Sequence, residues 1–125
     1  MLSATPGRRA TPVMLRWRTG IAAERSGEGA VAVAFFGDGA VEEGRFAESL
    51  NLAALYQLPT VFVCENNFYA SHLRLEARQR RTDIWQRAAV YGLPGVRVDG
   101  NDVCAVYREA ARAVQRARCG SGPTL

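Results

Sequence analysis

The chain has 125 residues, 48% of them hydrophobic and 22% charged, the size and balance of one domain with a buried core and too short for two ordinary ones. No apolar run approaches the ~20 residues that cross a bilayer, so no membrane span or membrane partner is expected. The net charge is +4 and all sixteen basic residues are Arg, but they are dispersed, no aromatic residues interleave with them on a strand face, and nucleic-acid motifs are absent, so nucleic acid is not an expected partner.

The three cysteines, Cys64, Cys104 and Cys119, form an odd set without metal-ligand spacing. They read as reduced thiols of a cytoplasmic protein, with Cys64 in a strand expected to be fully buried.

Residues 1–29 carry Arg8, Arg9, Arg16 and Arg18 before the first acid, Glu24. The composition hints at a transit peptide, but the pattern favours one helix over residues 13–25 and a linker. Ala30 to Phe36 alternates Ala with Val or Phe, apolar on both faces, as in a central parallel strand covered by helices on both sides. The segment GDGA follows, and Glu42 and Glu43 suit the first turn of a helix that carries Phe46, Leu50, Ala53 and Ala54 at helical spacing. Leu58 and Pro59 stop it and admit a strand over Thr60 to Glu65. Strand, helix and strand with short links make a right-handed βαβ unit.

From Ala70 to Arg81 the sequence is polar and basic without a trusted period, and a surface loop is expected. Thr82 or Asp83 is placed to cap a helix reaching Tyr91, with Gly92 and Pro94 ending it. Gly95 to Asp99 alternates as a third strand. Asn101 or Asp102 caps a last helix with Val103, Val106, Tyr107, Ala110, Val114 and Ala117 on its apolar face. The closing GPTL reads as the entry to a fourth strand. The fold class is α/β, a doubly wound parallel sheet, incomplete, with residues 30–125 as its body.

Chemistry concentrates where the first two strands end. A strand, a glycine turn and a helix opening make an anion site, because free N–H groups and the helix dipole point into the crevice. Asp38, between two glycines, would repel a diphosphate unless a divalent cation stood between them. Magnesium suits that place, since it takes oxygen ligands, commonly one or two carboxylates with phosphate oxygens and water. With the second strand beside the first, Asn66 and Asn67 emerge next to Asp38, where ligands of open α/β sheets bind. Asn66 reads as a structural hydrogen-bonder. His72 follows the loop and reads as a surface residue. A nicotinamide-type turn is disfavoured, because Glu42 stands at the third glycine position of G-x-G-x-x-G.

These residues also carry a family resemblance. GDG followed by NN is similar to the signature of thiamine-diphosphate enzymes. VAFFGDGAVEEG, ESLNLAALYQLPTVFVCENNFYAS and RAAVYGLPGVRVDGNDV together resemble the alpha subunit of the decarboxylating component of 2-oxo acid dehydrogenase complexes, of the pyruvate, branched-chain or acetoin type.

The resemblance implies a thiamine-diphosphate-binding fold, of which this chain holds part. It implies magnesium held by Asp38, Asn67 and the main-chain carbonyl of Tyr69, and diphosphate bound by the N–H groups of Gly39 and Ala40. It implies oxidative decarboxylation of a 2-oxo acid, in a heterotetramer with a beta-type subunit that supplies the activating glutamate, and acyl transfer to the lipoyl arm of an acyltransferase. Catalytic residues are not assigned on this chain, which is expected to be inactive alone. The alternatives are an inactive remnant and a nucleotide- or diphosphate-binding Rossmann-like module.

Overall fold

A computed structural model describes residues 11–27 and 29–125. Residues 1–10, where part of the transit-peptide hint falls, lie outside them. The helix expected near the start is α1, Thr11–Ser26, and it packs against β1 and α2. Strand β1, Ala32–Gly37, pairs in parallel with β2, Thr60–Glu65. Between them runs α2, Gly44–Leu55. The architecture is α/β, a small parallel sheet with helices.

The register runs from Ala32 opposite Thr60 to Gly37 opposite Glu65. Both strands therefore end at one edge, and the residues that follow, Asp38 and Asn66, leave the sheet side by side. Alternation along β1 sends Ala32, Ala34 and Phe36 into the core, where Ala34 and Phe36 cluster with Phe46, Leu50, Phe62 and Ile84. Phe36 and Phe46 pack as tilted rings with centroids 5.3 Å apart. The opposite face departs from expectation: Val33 is only half-buried and Phe35 is 47% exposed. An apolar strand needs a covering layer to be buried on both faces, and none is complete over this end of β1 among the described residues.

A 3-10 turn, Asp38–Glu42, intervenes before α2. Glu42 and Glu43 thus precede the helix instead of forming its first turn, and Glu43 stands at its N-cap without a side-chain cap bond.

Beyond β2 the polar stretch is not a plain surface loop. Tyr69–Ala70 (β3) and Leu73–Arg74 (β4) pair as a small antiparallel hairpin, and Leu75–Arg78 forms one turn of helix, α3. Leu75 is the anchor, buried at 1% exposure. One apolar side chain among many polar ones is a weak periodic signal, which is why the sequence pattern misses it.

The segment Ile84–Tyr91 is helical as expected but 3-10 in geometry, without a side-chain cap from Asp83, and Gly92 closes it in the left-handed region at φ 70°. Gly95 to Asp99 is not a regular strand. Instead Leu125 donates its N–H to the Pro94 carbonyl, and Val96 donates to the Leu125 carbonyl. Thr124 makes the same paired contacts to β2, donating to Thr60 and accepting from Phe62, a parallel bridge opposite Val61. The expected fourth strand thus enters between β2 and the expected third. Gly95 is required by a close approach, since a Cβ there would lie 2.0 Å from the Trp85 carbonyl oxygen.

The last helix, α4, Val103–Arg118, is capped by Asp102, whose carboxylate accepts from the N–H groups of Cys104 and Ala105. Its buried positions are Ala113 and Ala117. Of the expected face, Ala117 is buried and Val114 half-buried, whereas Val103, Val106, Tyr107 and Ala110 are exposed, so contact is confined to the second half of the helix, where the small residues Ala113 and Ala117 let it lie close to its neighbour.

Candidate functional site

The site is built at the shared end of β1 and β2. Asp38 opens the 3-10 turn and is 2% exposed. Gly39 follows, and a Cβ on it would come within 2.9 Å of the Ala70 Cβ, so the hairpin lies directly on the turn and only glycine leaves room. Ala40 is half-buried and packs against the core.

On the second strand end, the Asn66 Oδ1 accepts from the Phe68 N–H and the Asn67 Oδ1 from the Tyr69 N–H, both at 3.0 Å. Two successive side-chain turns hold Phe68 at φ 66°, a left-handed conformation that is costly for a bulky residue and that clusters at functional sites. Asn66 therefore has the structural role expected of it, and Asn67 shares it. Tyr69 lies on β3, its hydroxyl accepting from Arg74 Nε at 2.8 Å. A recess of about 240 Å³ beyond the hairpin is lined by Phe68, Tyr69, Arg74, Leu75 and Glu76. Of the predicted ligands it touches only Tyr69. His72 is exposed in the turn between β3 and β4.

Residues that sequence reasoning missed complete the geometry. Arg78, 8% exposed, donates from Nη2 to Asp38 Oδ2 at 2.5 Å and from Nη1 to Glu42 Oε1. Gln79 Nε2 donates to the same Glu42 oxygen at 2.9 Å. Arg87 donates to the Gln79 Oε1 at 2.7 Å and to the Val41 carbonyl at 2.6 Å. The chain of contacts ties α3 and the second 3-10 segment to the aspartate turn. Nothing in the sequence separates Arg78 from Arg74, Arg80 or Arg81.

Comparison with known proteins adds the deciding observation: residues 10–125 match the family described as the dehydrogenase E1 component. The chain belongs to the dehydrogenase E1 component family. Among its E1 relatives, the alpha subunit of acetoin:2,6-dichlorophenolindophenol oxidoreductase from Bacillus subtilis is 53% identical over 95 residues, covering 76% of this chain and 28% of the relative. The chloroplastic pyruvate dehydrogenase E1 component subunit alpha-3 of Arabidopsis thaliana is 53% identical over 98 residues, covering 76% and 22%. The 3-methyl-2-oxobutanoate dehydrogenase subunit alpha of Mycobacterium tuberculosis is 48% identical over 105 residues, covering 84% and 29%. The chain spans less than a third of the length of these E1 relatives.

The ligands expected from the sequence, the Asp38 carboxylate, the Asn67 amide oxygen and the Tyr69 main-chain carbonyl, are all hard oxygen donors of the kind magnesium takes. Asp38 is the only carboxylate among them, which suits a cation that completes its shell with diphosphate oxygens and water. The residues present fit the group by the chemistry of their donors. Among the described residues no three His, Cys, Asp or Glu side chains cluster as a metal site of another kind, and no helix is long and apolar enough to cross a membrane.

Cys64 lies on β2 one residue before the strand's end, close enough to Asp38 to feel its charge. It is half-buried, not fully buried as expected, because β2 opens to the crevice toward its end. Burial, then the charges of Asp38 and Glu65, push its thiol from 9.0 up to about 12, against a smaller opposing pull from Arg87. The thiolate is the reactive form, so at pH 8 Cys64 should alkylate roughly a thousandfold more slowly than in the unfolded chain, while the exposed Cys104 and Cys119 react readily. Timed iodoacetamide labelling with peptide mapping checks this. The raised value leaves the thiol's contribution to stability intact below pH 9 and removes it as pH rises toward 12, since only the unfolded chain then loses the proton.

Proposed function

We propose that this chain is the diphosphate-anchoring part of a thiamine-diphosphate-dependent 2-oxo acid dehydrogenase alpha subunit. The observation that carries the reading is the parallel register that brings Asp38 and the Asn66-Asn67 pair out of the sheet side by side, in a chain of the E1 family.

In this reading residues 30–125 belong to a doubly wound thiamine-diphosphate-binding fold, preceded by residues 1–29 as a helix and linker. Asp38, Asn67 and the Tyr69 carbonyl would hold magnesium, and the N–H groups of Gly39 and Ala40 would face the diphosphate. When bound, thiamine diphosphate supplies the electron sink for decarboxylation. The chain's own residues bind and orient. Asp38 contributes the charge that neutralises the cation, the side-chain turns at Asn66 and Asn67 fix the loop opposite it, and Gly39 lets the hairpin close over the turn. The substrate is a 2-oxo acid of the pyruvate, branched-chain or acetoin-system type. The partners are a beta-type subunit within a heterotetramer and a lipoyl-bearing acyltransferase, in the cytoplasm.

Isothermal calorimetry with thiamine diphosphate tests the anchor. Heat of binding is expected with magnesium and is lost in excess chelator. Equal binding in chelator would sink the metal bridge.

A further inference from the structure

Asp38 is a buried carboxylate whose Oδ2 is taken by a guanidinium. Arg78 is itself shared, because its other terminal nitrogen reaches Glu42, a residue 35% exposed at the side chain and also held by Gln79. The hold is incomplete: Arg78 Nε is buried without a hydrogen-bond partner. A buried N–H without an acceptor carries a desolvation cost that any rearrangement giving it a partner would relieve. The guanidinium is thus bonded through two of its three nitrogens, between two carboxylates of unequal burial.

A divalent cation entering at Asp38 would meet that guanidinium as a like charge on the same carboxylate. We propose that Arg78 is a built-in counter-cation of Asp38 that competes with a divalent metal ion for it, and that Glu42 retains the guanidinium when the metal enters. The inference rests on the magnesium reading above and deepens it. Arg78 is a positioning residue in this scheme: it acts on the metal through Asp38, orienting the buried carboxylate but lowering its affinity for a cation. Glu42 sets the strength of the competition, since it draws the arginine away.

Removing Arg78 and removing Glu42 should therefore have opposite signs. Arg78→Gln should tighten Mn2+ binding by about tenfold, the order of one like-charge interaction removed at ion-pair distance in a partly solvated site. Glu42→Gln, at a partly exposed position that should fold normally, should weaken Mn2+ binding several-fold because Arg78 is then committed to Asp38. Arg112→Gln, which removes an equal charge from an exposed pair with Glu109 on α4, should change it by less than about threefold.

Free Mn2+ measured by electron paramagnetic resonance during titration of the chain reads these affinities, with circular dichroism melts to verify folding and Asp38→Asn as the reference for loss of the site. If Asp38→Asn abolishes Mn2+ binding but Arg78→Gln binds no more tightly than the parent, or Glu42→Gln binds more tightly, the competition is overturned while the metal site stands. If Asp38→Asn binds Mn2+ as well as the parent, the magnesium reading fails, and the competition with it.

Discussion

Asp38→Asn is expected to abolish magnesium-dependent binding of thiamine diphosphate, lowering affinity at least about 100-fold, or roughly 2.7 kcal/mol, while the core stays folded. The substitution keeps the shape and removes the only charged ligand in the donor set. Glu42 still pairs with Arg78, so the guanidinium is not stranded, and the stability cost should stay at the low end of the ~1–3 kcal/mol range for a lost buried partner. Calorimetry read beside thermal melts separates the two effects. In an assembly with the remaining alpha-subunit chain and a beta-type partner restored, Asp38→Ala should release no carbon dioxide from a 2-oxo acid when an artificial electron acceptor is present. The parent assembly should. A parent assembly that binds cofactor yet decarboxylates none of the pyruvate, branched-chain or acetoin-type substrates would leave only a diphosphate-binding fold.

The second large effect is structural and contrasts two neighbours on β1. Ala34 is fully buried in the cluster with Phe36, Leu50 and Phe62, so Ala34→Asp would place a carboxylate among apolar side chains without a partner. That cost exceeds ~4 kcal/mol, a large part of a domain's net stability, and should lower the melting midpoint by roughly 15 °C or more. Phe35 points the other way and is 47% exposed. Phe35→Asp should cost about 1 kcal/mol, the share of its apolar surface that is removed from water. Circular dichroism melts of the two variants give the comparison directly, and equal losses would mean that β1 is covered on both faces.

Local sequence determined the strand ends and the elements around them. The Ala/Val/Phe run before GDG, the Leu58-Pro59 break and the short apolar run from Thr60 specify two strands and a connecting helix, because dihedral preferences and burial period act over a few residues. The last helix's cap was legible to within one residue, Asn101 or Asp102, for the same reason, and it is the Asp102 carboxylate that reaches N–H groups two and three residues ahead. Parallel pairing then follows from the βαβ connection, and it carries Asp38 to Asn66 without further information.

Tertiary structure alone decided which of the arginines enters the site. Arg78 and Asp38 are forty positions apart in the chain, and in sequence Arg78 looks like any solvated arginine of its run. A charged side chain is worth burying only where an opposite charge waits for it, and that place exists only after α3 is laid against the aspartate turn by Leu75. The same dependence governs the segment from Gly95 to Asp99, whose alternation suits a strand but whose only ladder contact among the described residues is Val96 with Leu125. It also governs β1, where an apolar pattern on both faces cannot tell which face finds a neighbour. Burial is a property of two surfaces meeting, and a single stretch of sequence describes only one of them.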